Sequence, residues 1–236
     1  MLFTIEDLKY FLDNIYDETF SDNEGGMCSC DMFTLYFSLK KIQPKVVIES
    51  GVWNGLSTKL IRKTLGDNVK IICLDPRDIP SYGFKDNNKN TTYLTGNNFI
   101  DFGNLNLEKY DKNNIFAFFD CHQNALNRLL QCSNKNIKYL FFNDNYPINC
   151  GSHYTLEHFK NNDNRYNIIN INKKNEILNL INKYYIFPNI YPGDIKTGEG
   201  LFSCESFFEK EQHLDKFYIF KKDISKYRWN TYVELK

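Results

Sequence analysis

Four acidic residues and a histidine stand where chemistry is possible. Glu49, Asp75, Asp120 and Asp144 each close or follow a short apolar run, and His122 lies two residues beyond Asp120. Between the first two acids runs Glu49-Ser50-Gly51-Val52-Trp53-Asn54-Gly55-Leu56-Ser57-Thr58, a strand end, a glycine-bearing turn and a helix start. Glycine permits positive φ and close approach of a ligand to the backbone, and a helix N-terminus offers free N–H groups. The spacing disfavours two common occupants. A dinucleotide turn reads GxGxxG, whereas Gly51 and Gly55 have no glycine between them and Leu56 follows. A phosphate loop needs GxxxxGK, and here the second glycine comes one residue early with no lysine after it.

Glu49 closes the first apolar run and Asp75 the second. Further along, Phe119-Asp120-Cys121-His122-Gln123 and Phe142-Asn143-Asp144-Asn145-Tyr146 close two later strands. In a parallel sheet such ends are neighbours. Two carboxylates with amides make a hard oxygen site fit for Mg²⁺ or Ca²⁺, and His122 can act as a base near neutral pH. A structural role competes: Asp120 with Gln123 matches an acidic capping box at a helix start.

The elements that must position these residues follow from periodicity. Thr4 can cap a helix over residues 4 to 16, with Ile5, Leu8, Phe11, Leu12 and Ile15 on one face. After the polar stretch Ser21 to Gly26, a second apolar segment, Met32 to Leu39, is closed by Pro44. Strands are expected at 46–48, 71–74, 92–94, 115–119 and 139–142, alternating with helices near 57–65, 122–132 and 176–184. Residues 217–220 and 229–235 are read as a terminal hairpin with 221–226 as its turn, and 191–200 as a surface loop. The expected fold is therefore α/β, a doubly wound, mostly parallel seven-stranded sheet with a C-terminal antiparallel hairpin, helices 1–43 in front and the core over 44–236 in one domain. Gly25-Gly26-Met27 and the 191–200 loop are candidates for walling the site.

Composition narrows the partners. Lys+Arg and Asp+Glu are equal at 29 each, so no global positive field exists to hold nucleic acid. The 7 cysteines are scattered, and Cys28 and Cys30 are one residue too close for a CxxC half-site, which suits reduced thiols in the cytoplasm. No export signal or membrane span is indicated.

The stretch from Pro44 to Tyr146 resembles class I S-adenosylmethionine-dependent methyltransferases, in the branch of cephalosporin-hydroxylase-type proteins and sugar O-methyltransferases. It is also similar to methyltransferase-like proteins of giant DNA viruses, in keeping with a composition rich in Asn, Lys and Ile. The resemblance implies S-adenosylmethionine held by Glu49, Gly51, Trp53, Asn54, Gly55, Ser57, Asp75 and Pro76. It implies Mg²⁺ at Asp120, Asn143 and Asp144, with Asn143 standing where the family has a carboxylate. Catalysis would fall to His122, Asp120 and Asp144, acting on a hydroxyl of a small acceptor such as a sugar or nucleotide sugar. A homo-oligomer is open, and so is a binding protein of the same fold without turnover.

Overall fold

The computed structural model describes residues 2–20, 26–163, 171–209 and 217–236, with the side chains of 171 and 172 left aside. The helix at the front, α1 (Ile5–Asn14), starts on a true capping box: Thr4 accepts from the Asp7 amide, and the Asp7 carboxylate accepts from the Thr4 amide. It lays Leu8 and Phe11 against α2 (Ser29–Ile42), which is buried over most of its length. A helix apolar around its circumference belongs inside, and α2 sits between α1 and one face of the sheet.

Behind it come β1 (Val46–Ser50), α3 (Leu56–Leu65), β2 (Lys70–Asp75), β3 (Thr91–Thr95), β4 (Ile115–Phe119), α4 (Ala125–Asn134) and β5 (Tyr139–Phe142). Helices α5 (Leu156–Lys160) and α6 (Ile171–Leu178) lead to β6 (Ile181–Ile186), the small hairpin β7 (Ile195–Thr197) and β8 (Gly200–Phe202), then α7 (Tyr218–Lys222) and β9 (Thr231–Leu235). The seven-stranded sheet has the order β3-β2-β1-β4-β5-β9-β6, parallel except for β9. Residues along β1 and β4 are buried on both faces, as helix-covered parallel strands must be. Alternate side chains feed two apolar clusters: Val47, Phe116 and Phe118 on the α2 and α3 side, Ile48, Ala117 and Phe119 on the α4 side.

Register aligns the strand ends. Leu94, Leu74, Ser50, Phe119, Phe142, Thr231 and Ile186 stand abreast across the sheet. Everything that follows these residues in the parallel strands, and everything that precedes Thr231 in β9, projects from one edge.

Several expectations are corrected. Residues 181–184, taken as helix, belong to β6; Ile177, Leu180, Ile181 and Tyr184 imitate helical spacing across the end of α6 and the start of a strand. Phe217-Tyr218-Ile219-Phe220, taken as a strand, enters α7 instead, with Phe217 and Phe220 buried and Tyr218 exposed at 65%. The partner of β9 is accordingly β6. The 191–200 loop is partly a hairpin, β7 with β8. Helix α4 begins at Ala125 under Asn124, whose side chain accepts from the Asn127 amide, so Asp120 and Gln123 form no capping box. Of the candidate wall Gly25-Gly26-Met27, Gly25 lies outside the described residues and Met27 is buried in the core.

Gly51 sets how closely β1 can turn toward β4. It has φ of 96°, and a Cβ there would fall onto the Asp120 carbonyl. Gly51→Ala is expected to cost at least about 2 kcal/mol in urea unfolding, whereas Gly198→Ala, where no atom lies within 4 Å, stays near neutral.

Candidate functional site

The turn after β1 is tied from below and from the side. Below it, the Glu49 carboxylate accepts from the Ser57 and Thr58 hydroxyls, the latter at 2.6 Å, and from the Cys73 thiol at 3.4 Å. Glu49 is wholly buried, and burial pushes its carboxyl up to about 7 despite those three hydrogen bonds. Glu49 and Ser57, both expected among the cofactor contacts, bond to each other here. Both sit beneath the turn and clamp the first turn of α3 to β1.

From the side, one oxygen of Asp75 accepts the amides of Val52 (2.9 Å) and Trp53 (3.1 Å). The other accepts the Arg77 amide at 2.9 Å and Arg77 Nε at 3.3 Å. Burial alone would raise this carboxyl, but the backbone hydrogen bonds of Arg77, Val52 and Trp53 together hold it below the usual range. The Arg77 guanidinium lies over the Trp53 ring at 4.8 Å. Asp75 thus closes β2 with Arg77, 63% exposed, across one of its oxygens. Pro76 is exposed beside it, the Asn54 carbonyl accepts the Phe84 amide, and Gly55 starts α3 in a left-handed conformation without a side-chain cap. A hollow of about 280 Å³ lined by Asp78, Ile79 and Thr95 opens beyond β2 and β3.

Two strands along the same edge, the second group converges. His122 Nε2 meets Asp144 Oδ2 at 2.7 Å and lies 3.9 Å from Asp120 Oδ1. Asn143 Nδ2 donates to Asp120 Oδ1 at 3.2 Å, the Tyr146 hydroxyl donates to Asp144 Oδ1 at 2.8 Å, and Arg228 Nε stands 3.7 Å from that same oxygen. His122 and Asp144 both hold positive φ, 50° and 57°, as does Trp53 at 50°. Non-glycine residues held in this region cluster at functional sites.

The charges separate in a useful way. Burial raises the Asp144 carboxyl, but the His122 and Tyr146 hydrogen bonds and the Arg228 charge outweigh it and hold it low. The hydrogen bond to Asp144 is the main reason that His122 titrates above its ordinary value, against a smaller effect of burial. Asp120 is pushed well above the usual carboxylate range, first by burial and then by the Asp144 charge. His153 stacks on His122 at 5.5 Å and 11°, and burial lowers it to about 4, so it adds no second positive charge at pH 7.

Of the residues expected to carry chemistry, Asp120, His122, Asn143 and Asp144 come together. Tyr146, His153 and Arg228 join them unforeseen; Tyr146 lay within the strand-end run, but nothing in sequence places residue 228 beside residue 144. Asp120, His122 and Asp144 each offer one ligand atom within 4.8 Å of the others, and the buried Asn143 Oδ1 has no hydrogen-bond partner. The donor set of Asp120, His122 and Asp144 fits a divalent cation.

No protein-family model matches the chain, and no curated protein matches it by sequence. Among solved structures the chain is similar to the Mg-SAM form of cmcI, with 16% identity over 79% of this chain and 78% of that one and a TM-score of 0.41. It is similar too to the SAH form of cmcI, with 18% identity over 61% of this chain and 77% of that one and a TM-score of 0.39. The O-methyltransferase from Bacillus cereus in complex with SAH gives 10% identity over 100% of this chain and 93% of that one, with a TM-score of 0.42. The Rossmann-like fold itself is read from the strand order and register above. No helix among the described residues is long and apolar enough to cross a membrane.

Two titrations follow. In the folded protein Glu49 holds its proton up to about pH 7, above its unfolded value near 4.5, so its contribution to stability is full at low pH and declines between those values. The melting temperature of Glu49→Gln relative to wild type is expected to rise as pH goes from 4.5 to 7 and then level off. By NMR, the His122 pKa is expected to fall on Asp144→Asn, since its main upward cause is removed.

Proposed function

We propose that the protein is an S-adenosylmethionine-dependent O-methyltransferase whose general base is His122, acting on a hydroxyl of a small molecule, a sugar or nucleotide sugar. The observation that carries this reading is the 2.7 Å pairing of His122 with a buried, low-pKa Asp144, placed on the sheet edge beside the Gly51 turn. S-adenosylmethionine supplies an electrophilic methyl carbon on a sulfonium cation. In the corner between Gly51 and Asp120 such a cation would favour ionisation of the Asp120 carboxyl, which burial and the Asp144 charge otherwise push toward its protonated form.

The chain's own part is mostly position. The Asp75 carboxylate meets ribose hydroxyls if Arg77 swings from its outer oxygen, and the nucleobase end points to the hollow near Asp78. Asp144 accepts the Nε2 proton of His122, which leaves Nδ1 as the nitrogen with a lone pair; this tautomer follows from the ionised partner. With its side chain 61% exposed, the ring can take a hydroxyl proton at Nδ1 while Asp144 steadies the imidazolium. Holding acceptor and methyl donor in line contributes up to roughly 7–11 kcal/mol of the barrier lowering.

A second reading has its own observation, the convergence of Asp120, His122 and Asp144 with the unpartnered Asn143 Oδ1. There those three residues would hold Mg²⁺ or a related divalent cation, which would acidify and orient the acceptor hydroxyl, and His122 Nε2 would be a ligand rather than a hydrogen-bond donor. A binding protein without turnover is the outcome if no methyl transfer occurs.

S-adenosylhomocysteine at about 100 times its dissociation constant is expected to stabilise the fold by about 2.7 kcal/mol; a shift with NAD alone contradicts the proposal. His122→Ala should lower turnover at least tenfold while leaving that stabilisation intact. With His122 as base, kcat/KM rises with pH through a pKa above 6.5 and survives dialysis against EDTA; loss of activity on EDTA, restored by Mg²⁺, selects the cation instead.

A further inference from the structure

The reaction centre is too small to enclose an acceptor. The cleft among His122, Asn143, Asp144 and His153 measures about 10 Å³, room for one water. A far larger cavity of about 490 Å³ opens on the same edge of the sheet, and a volume of that size is typical of a small-molecule site. Its walls come from the end of β6 and the start of β9, which register brings level with the end of β5: Phe142, Thr231 and Ile186 stand abreast. The two regions are joined by rings. Trp229, a wall of the cavity, packs on Tyr146 at 5.8 Å, and the Tyr146 hydroxyl holds Asp144.

The lining has a definite chemistry. Trp229 and Tyr185 line it with rings, whereas Lys160 Nζ lies over the Tyr184 ring at 3.8 Å. Glu157 accepts from the Tyr184 hydroxyl at 2.7 Å and pairs with Lys160 at 3.0 Å, and Glu205 stands exposed at the rim. Carboxylates only accept hydrogen bonds, so they call for a ligand rich in donors, and aromatic faces call for a ring. A purely apolar ligand would cover the exposed Glu205 carboxylate without offering it a donor. Distance adds a further constraint. From β5 to β6 is two strand spacings, roughly 10 Å, more than one sugar ring spans.

We propose that this cavity binds the non-reacting part of the acceptor, and that the acceptor is a hydroxylated glycoside of at least two linked rings. One ring presents its hydroxyl to His122 while the next is held among Trp229, Tyr185 and Glu205. This rests on the methyl-transfer reading for the word acceptor, but the cavity's preference for linked, hydroxylated rings can be tested alone. Binding energy gathered there positions the ring that reacts.

The sequence has 2 tryptophans, Trp53 at the cofactor turn and Trp229 in this cavity, so Trp53→Phe leaves a single reporter. Trp53→Phe is titrated with methyl glucoside, maltose, cellobiose, lactose and maltotriose, and emission is followed. At least one di- or trisaccharide is expected to change Trp229 emission with an affinity at least tenfold above methyl glucoside. Adding Tyr185→Ala or, at the exposed rim, Glu205→Ala should weaken that binding at least tenfold with the melting temperature kept. No response from any of the sugars, or a response that neither substitution alters, overturns the proposal. S-adenosylhomocysteine binding to the wild type is measured by calorimetry in parallel. If it binds and the sugars do not, this inference alone fails; if the sugars bind and it does not, the methyl-transfer reading fails and the cavity's ligand class stands.

Discussion

A buried carboxylate holds the corner on which the rest of the site is hung. Asp75, at the end of β2, takes the Val52 and Trp53 amides and so fixes the path of the chain between β1 and α3. Together with the Gly55 amide's bond to the Val52 carbonyl and the Phe84 amide's bond to the Asn54 carbonyl, this side chain sets where the helix N-terminus points. Hydrogen bonds to a charged acceptor are roughly twice as strong as neutral ones. Glu49 does the complementary work from beneath, and its own charge is suppressed by burial. One acid is held below the usual carboxylate range and the other pushed up to about 7 by surroundings a few residues apart.

The same contrast recurs at the ends of β4 and β5. Asp144, with His122, Tyr146 and Arg228 around it, is held below the usual carboxylate range; Asp120 beside it is pushed above it. Pairs of acids whose surroundings push their pKa values apart mark places where protons are handled. The parallel sheet brings such pairs to one edge at intervals of one strand, so the turn, the His122 group and the aromatic cavity lie in a row.

Much of this was legible in the sequence because the signals were local. Runs such as Ile115 to Phe119, ended by an acid, mark buried strands and their carboxyl ends, and Thr4 with Asp7 marks a helix start. What failed was the choice of period in short apolar stretches. Ile177, Leu180, Ile181 and Tyr184 fit a helix on paper, yet a turn at Asn179 and Leu180 divides them between α6 and β6. Phe217 to Phe220 could pack as strand or helix, and only the exposure of Tyr218 between buried phenylalanines settles it. The inward turn of Glu49 was not legible either, since it depends on Ser57, Thr58 and Cys73 arriving from two other elements. Arg228 and Trp229 reach the site only through the antiparallel insertion of β9, a tertiary event with no local signature.

The most direct measurement is a crystal structure with S-adenosylhomocysteine. The account predicts the ribose hydroxyls on Asp75 with Arg77 turned away, and the sulfur beside Asp120 on the side facing His122. Binding at any other edge of the sheet, or a ligand whose sulfur lies away from Asp120 and His122, would contradict it.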